Sequence, residues 1–95
     1  MTGKQRAQLR AMANTIDTIL YIGKDGIVPG TLTQADDALE ARELIKCCVQ
    51  PECPLTAKEA LDELCEKLGA EPIQHIGRRF VMFRQSREKP RIILA

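Results

Sequence analysis

Two glycines bracket a lysine and an aspartate at Gly23-Lys24-Asp25-Gly26. Glycine has no Cβ, so the backbone here can pass close to a ligand. Amide groups in such a turn, or at the start of a following helix, aim N–H dipoles at an anion. Lys24 adds a full positive charge. The chemistry on offer is the gripping of a phosphate, as along a nucleic-acid backbone. An ordinary tight turn contains the same residue types, and a G-x-x-G pattern alone does not separate the two. Asp25 places a negative charge inside the presumed clamp and weakens it unless Lys24 or a helix dipole offsets it.

Other cationic side chains suit the same task. Arg78 and Arg79 fall at a predicted hairpin tip and Arg84 at the end of its returning strand, while Arg6 and Arg10 share one face of a predicted first helix. Such groups give affinity and salt dependence, not sequence choice. The net charge of +1 conceals a segregation. Residues 1–30 carry four cations against two acids, residues 31–71 four against ten, and residues 72–95 six against one. Basic ends around an acidic middle suggest one basic face, the footprint of a polyanion binder. Tyr21, Phe80 and Phe83 all lie within apolar runs, so they are expected in the core. That argues against an aromatic stacking platform and for a reader of shape and backbone.

Enzyme chemistries find little support. A phosphate-binding NTPase loop requires G-x-x-x-x-G-K-[ST], and Lys24 is followed by Asp25. His75 is the lone histidine, and Cys47, Cys48, Cys53 and Cys65 form no C-x-x-C pair. No zinc site, cofactor or small-molecule substrate is therefore expected. The thiols are expected to be reduced, and mostly packed as small apolar groups. The acids Asp36, Asp37 and Glu40 are expected on a solvated helix face. That face supports an alternative function, a protein adaptor that docks on basic proteins.

The positioning elements follow from periodicity. At 95 residues the chain makes one small domain. Leu9, Met12, Ala13 and Ile16 mark an amphipathic helix over about Lys4–Ala13. Thr18–Ile22 lacks polar alternation after Thr18 and reads as a strand covered on both faces. A second helix begins near Thr31, where Thr31-x-x-Gln34 is a candidate capping box, and ends near Arg42. Leu44–Val49 alternates as a strand, with Ile45, Cys47 and Val49 on one face and Leu44, Lys46 and Cys48 on the other. Thr56-x-x-Glu59 caps a third helix that ends at Gly69. Pro72–Ile76, a Gly77-Arg78 turn of type II′ and Arg79–Arg84 form a hairpin. Residues 85–95 read as a flexible basic tail. The order is α-β-α-β-α-β-β, an α/β fold with a mixed sheet. No apolar run approaches the roughly 20 residues of a membrane span, and the polar start leads into no signal-peptide core. The expected location is the cytoplasm.

Taken together, these segments resemble a known family. Lys4-Gln5-Arg6 through Leu9 and Ala13, Ile22–Gly26, Ala38–Lys46 and Ile76–Arg84 are similar, in order and spacing, to the bacterial YhbY-type proteins. These are stand-alone CRM (chloroplast RNA splicing and ribosome maturation) domains. The resemblance implies a four-stranded mixed sheet similar to the C-terminal domain of a bacterial translation initiation factor. It implies RNA binding and association with precursors of the large ribosomal subunit, and it makes basic ribosomal proteins the partners of the adaptor alternative. It also implies that Gly23, Lys24, Asp25 and Gly26 act like the backbone-clamping loop of KH domains. Cys48 departs from the family, which often has alternating apolar and basic residues there.

Overall fold

Three helices and four strands alternate along the chain: α1 Gly3–Ala13, β1 Thr18–Ile22, α2 Pro29–Arg42, β2 Leu44–Val49, α3 Ala57–Leu68, β3 Glu71–Ile76 and β4 Arg79–Phe83. The computed structural model describes all residues from 1 to 95. The expected element order and the mixed four-stranded sheet are both present. The strands lie in the order β1-β2-β4-β3, with β1 parallel to β2 and the other neighbours antiparallel.

Local chemistry sets the boundaries. At α3, the Thr56 hydroxyl accepts from the Glu59 N–H and the Glu59 carboxylate accepts from the Thr56 N–H. Gly69 closes that helix at φ +66°. Thr2 and Gln5 cap α1 in the same reciprocal way, a T-x-x-Q capping box. The start of α2 differs from expectation. Pro29 opens the helix, because its fixed φ and missing N–H fit the first turn. Thr31 therefore lies inside the helix, and its hydroxyl accepts from the Val28 N–H.

Two cores sandwich the sheet. On one face, Leu20, Ile22, Ile45, Cys47, Val49, Phe80 and Met82 pack against α2 and α3. On the other, Leu44, Ile73, Val81 and Phe83 pack against Leu9 and Ala13 of α1. β1 is thus an edge strand with one open face, not a strand covered on both. Tyr21 is 58% exposed, so the expectation that it joins the core is corrected. Phe80 and Phe83 are buried as expected. Cys47 and Cys65 are buried too, and burial pushes both thiols up to about 12.

Residues 85–95 form neither helix nor strand. They nevertheless have specific attachments, where the sequence suggested only a flexible tail. Ile92 and Leu94 pack beside α1. The Ser86, Arg91 and Ile92 N–H groups donate to the Glu43 carboxylate at 2.7–2.8 Å. The Ser86 hydroxyl and the Arg87 and Glu88 N–H groups donate to Glu40. The physical reason is Glu43 itself: it is fully buried, and a buried carboxylate needs donors.

Candidate nucleic-acid interface

The Gly23–Gly26 loop is a closed turn in which the Gly26 N–H donates to the Gly23 carbonyl at 3.0 Å. Gly26 has φ +68°, a conformation that other residues adopt only with strain. A Cβ on Gly23 would stand 3.0 Å from Gln50 Oε1, so this position has no room for a side chain unless Gln50 moves. Lys24 and Asp25 project into solvent, and neither joins an ion pair within the chain. The helix α2 starts three residues beyond Gly26.

Two backbone bonds bring a second basic element to this loop. The Gln50 N–H donates to the carbonyl of Ile22, the residue before Gly23, at 2.9 Å. The neighbouring Val49 N–H donates to the carbonyl of Arg78 at 2.8 Å. The glycine loop, the end of β2 and the β3–β4 hairpin tip therefore meet at one end of the sheet. β2 alone separates β1 from β4, so the two basic turns lie about 10 Å apart. Gly77 adopts φ +60° at the first central position of the hairpin turn, which leaves Arg78 and Arg79 exposed.

The remaining predicted contacts divide. Arg10 is exposed on α1, one turn before Asn14, and Asn14 lines a concavity with Lys46, Gln74, Ile76 and Arg79. Arg6 donates instead to the Pro72 carbonyl and lies 3.9 Å from Glu71 Oε2, at the opposite end of the hairpin. Arg84 is also remote. Its guanidinium donates to Asp36 Oδ1 at 2.8 Å, to the Leu68 carbonyl at 3.0 Å and to the Asp36 carbonyl at 3.2 Å. Its side chain is only 10% exposed. Sequence grouped Arg84 with Arg78 and Arg79, but the fold gives it a structural task.

Two residues at the loop end escaped the sequence reading. Lys46 on β2 and Tyr21 on β1 line a shallow concavity of about 500 Å³ with Asp17, Thr18 and Arg79. The signal was helix length. The 11 residues of α1 span only about 16 Å, and they cover the end of the sheet that holds Leu44 and Phe83. The acidic stretch divides: Asp37 is exposed, as the sequence predicts, but its neighbours are not a free solvated face. Asp36, Glu40 and Glu43 face β4 and the tail as internal hydrogen-bond acceptors. Ser86 and the tail amides hold Glu40 below the usual carboxylate range. Burial pushes the Glu43 carboxyl up, but its three backbone donors outweigh that and the net shift is downward. No three or more His, Cys, Asp or Glu side chains gather closely enough to hold a metal ion.

Residues 1–84 match the model of the CRS1/YhbY (CRM) domain family. The chain is 34% identical over 94 residues to the "Probable RNA-binding protein YqeI" of Bacillus subtilis, covering 99% of this chain and 98% of that protein. It is 27% identical to an "RNA-binding protein" of Haemophilus influenzae, over 93% of this chain and 89% of that one. Among solved structures, the solution structure of SAV1595 from Staphylococcus aureus superposes with a TM-score of 0.74 at 40% identity. That match spans all of this chain and 99% of the other.

Proposed function

The chain belongs to the CRS1/YhbY (CRM) domain family, and from that premise we propose that it is a non-enzymatic RNA-binding protein. Its ligand is structured ribosomal RNA, and its task is to assist assembly of the large ribosomal subunit in the cytoplasm. The whole of residues 1–95 serves as one RNA-binding domain. Lys24, held between Gly23 and Gly26, and the hairpin-tip residues Arg78 and Arg79 contact phosphates, with Arg10 and Lys46 alongside. The observation that carries this reading is the convergence of the glycine loop and the hairpin tip through the Gln50–Ile22 and Val49–Arg78 backbone bonds. The names of relatives in Bacillus subtilis and Haemophilus influenzae support RNA as the polyanion. No helix is long and apolar enough to cross a membrane.

Asp25 lowers the affinity of the loop itself, so Arg78 and Arg79 supply much of the grip. With Arg10 left out as a peripheral contact, the four phosphate contacts by Lys24, Lys46, Arg78 and Arg79 imply a salt slope of about −3 to −3.6. Affinity for a ribosomal RNA fragment should then fall roughly 50–150-fold between 50 and 200 mM salt. Lys24→Ala should weaken binding to different RNA sequences alike and reduce the slope by about 1. Affinity unchanged both in Lys24→Ala and in Arg78→Ala/Arg79→Ala would remove this site assignment. The adaptor alternative is less favoured, because Asp36, Glu40 and Glu43 are engaged within the chain and only Asp37 of that stretch is exposed without a partner. Free ribosomal RNA should compete the protein off ribosomal particles, whereas an adaptor would ignore that competitor.

A further inference from the structure

The sheet face that carries α1 is only half covered. Leu9 and Ala13 close it over Leu44, Ile73, Val81 and Phe83. Toward the glycine loop, a row of cross-strand partners runs over all four strands. Tyr21 pairs with Cys48, Cys48 with Arg79, and Arg79 with Ile76. Tyr21 is 58% and Ile76 is 70% exposed, so neither helix nor tail covers the ends of this row. Lys46 lies on the same face, two residues before Cys48. Neither Lys46 nor Arg79 joins an ion pair within the chain. Tyr21 is separated from Gly23 by one residue, so its ring flanks the loop.

Resting on the RNA-binding reading above, we propose that this open face holds one unpaired nucleotide of the bound RNA, its base stacked on Tyr21. Stacking needs a large exposed ring beside a site that holds the neighbouring phosphates; Tyr21 is such a ring, and it adjoins the loop proposed above to hold phosphate. Lys46 and Arg79 supply charge for the flanking backbone, and the Arg79 guanidinium offers a second planar surface. Asp17, at the rim of the same concavity, is an acceptor that suits a base amino group and repels phosphate. An apolar protein segment would have to desolvate Lys46 and Arg79 without pairing them, which disfavours it as the occupant. With a single exposed aromatic, the platform accepts one base and not a continuous single strand. The preferred RNA is therefore a duplex or hairpin interrupted by a bulge.

The chain contains one tyrosine and no tryptophan, so its intrinsic emission reports on Tyr21 alone. The test titrates the full chain with two RNA hairpins that differ only by one bulged nucleotide. The bulged hairpin should quench the emission and bind about tenfold more tightly than the paired one. Tyr21→Leu should erase that preference while leaving the salt slope intact, and Tyr21→Phe should retain it. Circular dichroism and thermal melting verify that Tyr21→Leu folds, which its exposed position favours. If wild type binds both hairpins equally with unchanged emission, or if Tyr21→Leu keeps the preference, this inference falls and the RNA-binding reading stands. If neither hairpin binds in a salt-dependent way, the RNA-binding reading falls with it.

Discussion

The Arg84 guanidinium ties the middle of α2 to the end of α3. Three of its bonds reach the Asp36 carboxylate, the Asp36 carbonyl and the carbonyl of Leu68, the last residue of α3. A helix-end carbonyl has no partner within its own helix, and a cation there also complements the helix dipole. Arg84→Ala should therefore cost about 2–3 kcal/mol of stability, because it leaves Asp36 half-buried without its partner. Chemical denaturation checks this, and the salt slope of RNA binding should stay as in wild type. Nothing in the sequence separates Arg84 from Arg79. Both flank the same apolar run, and the distinction comes from Asp36, 48 positions away. Tyr21 was hidden for a related reason. An aromatic in an apolar run reads as core until the length and placement of α1 are known. Lys24 is the opposite case, since its two glycines announce a turn locally.

The junction between α2 and β2 carries the least typical residue of the fold. Glu43 has φ +67° and ψ −52°, close to a strained γ-turn. Glycine would fill such a position without strain. Glutamate stands there because its carboxylate turns inward to bind the Ser86, Arg91 and Ile92 amides, while its carbonyl accepts from the Arg84 N–H at 3.0 Å. One residue thus fixes both the exit of β4 and the path of the tail. Glu43→Ala should lower stability by about 3 kcal/mol and free the tail, which faster hydrogen exchange at Ile92 would reveal. The pH dependence follows from the depressed carboxyls of Glu40 and Glu43. Their contribution is complete above the ordinary carboxylate value of 4.5 and is lost as the pH falls through their lower folded values. Melting temperature should decline on acidification from pH 5 to 3, and Glu43→Ala should decline less steeply. Capping boxes, the Gly77 turn and strand alternation were legible because each is a short-range pattern. The tail latch was not, because a buried glutamate looks like any other acid in an acidic stretch until its partners arrive from 43–49 residues downstream.

Across the whole molecule, the segregation of charge along the chain survives folding only in part. The basic ends do not merge into one face. Arg6 and Arg84 settle at the far end of the sheet, while Lys24, Lys46, Arg78 and Arg79 collect at the near end. Three acids of the middle segment turn inward, Asp36 to hold Arg84 and Glu40 and Glu43 to hold the C-terminal segment. What results is a polar division along the strand axis, with a structural end and the end proposed to bind RNA. Field lines from the near end should steer a polyanion there despite a net charge of only +1. The measurement that tests this division most directly is amide chemical-shift mapping of the full chain during titration with a structured ribosomal RNA fragment. The account predicts perturbations at Tyr21–Gly26, Lys46, Cys48, Gln50 and Gly77–Arg79, with little change at Arg6, Leu68 and Arg84. Shifts concentrated on the exposed side of α3, or at the Arg6 and Arg84 end with the glycine loop silent, would contradict it.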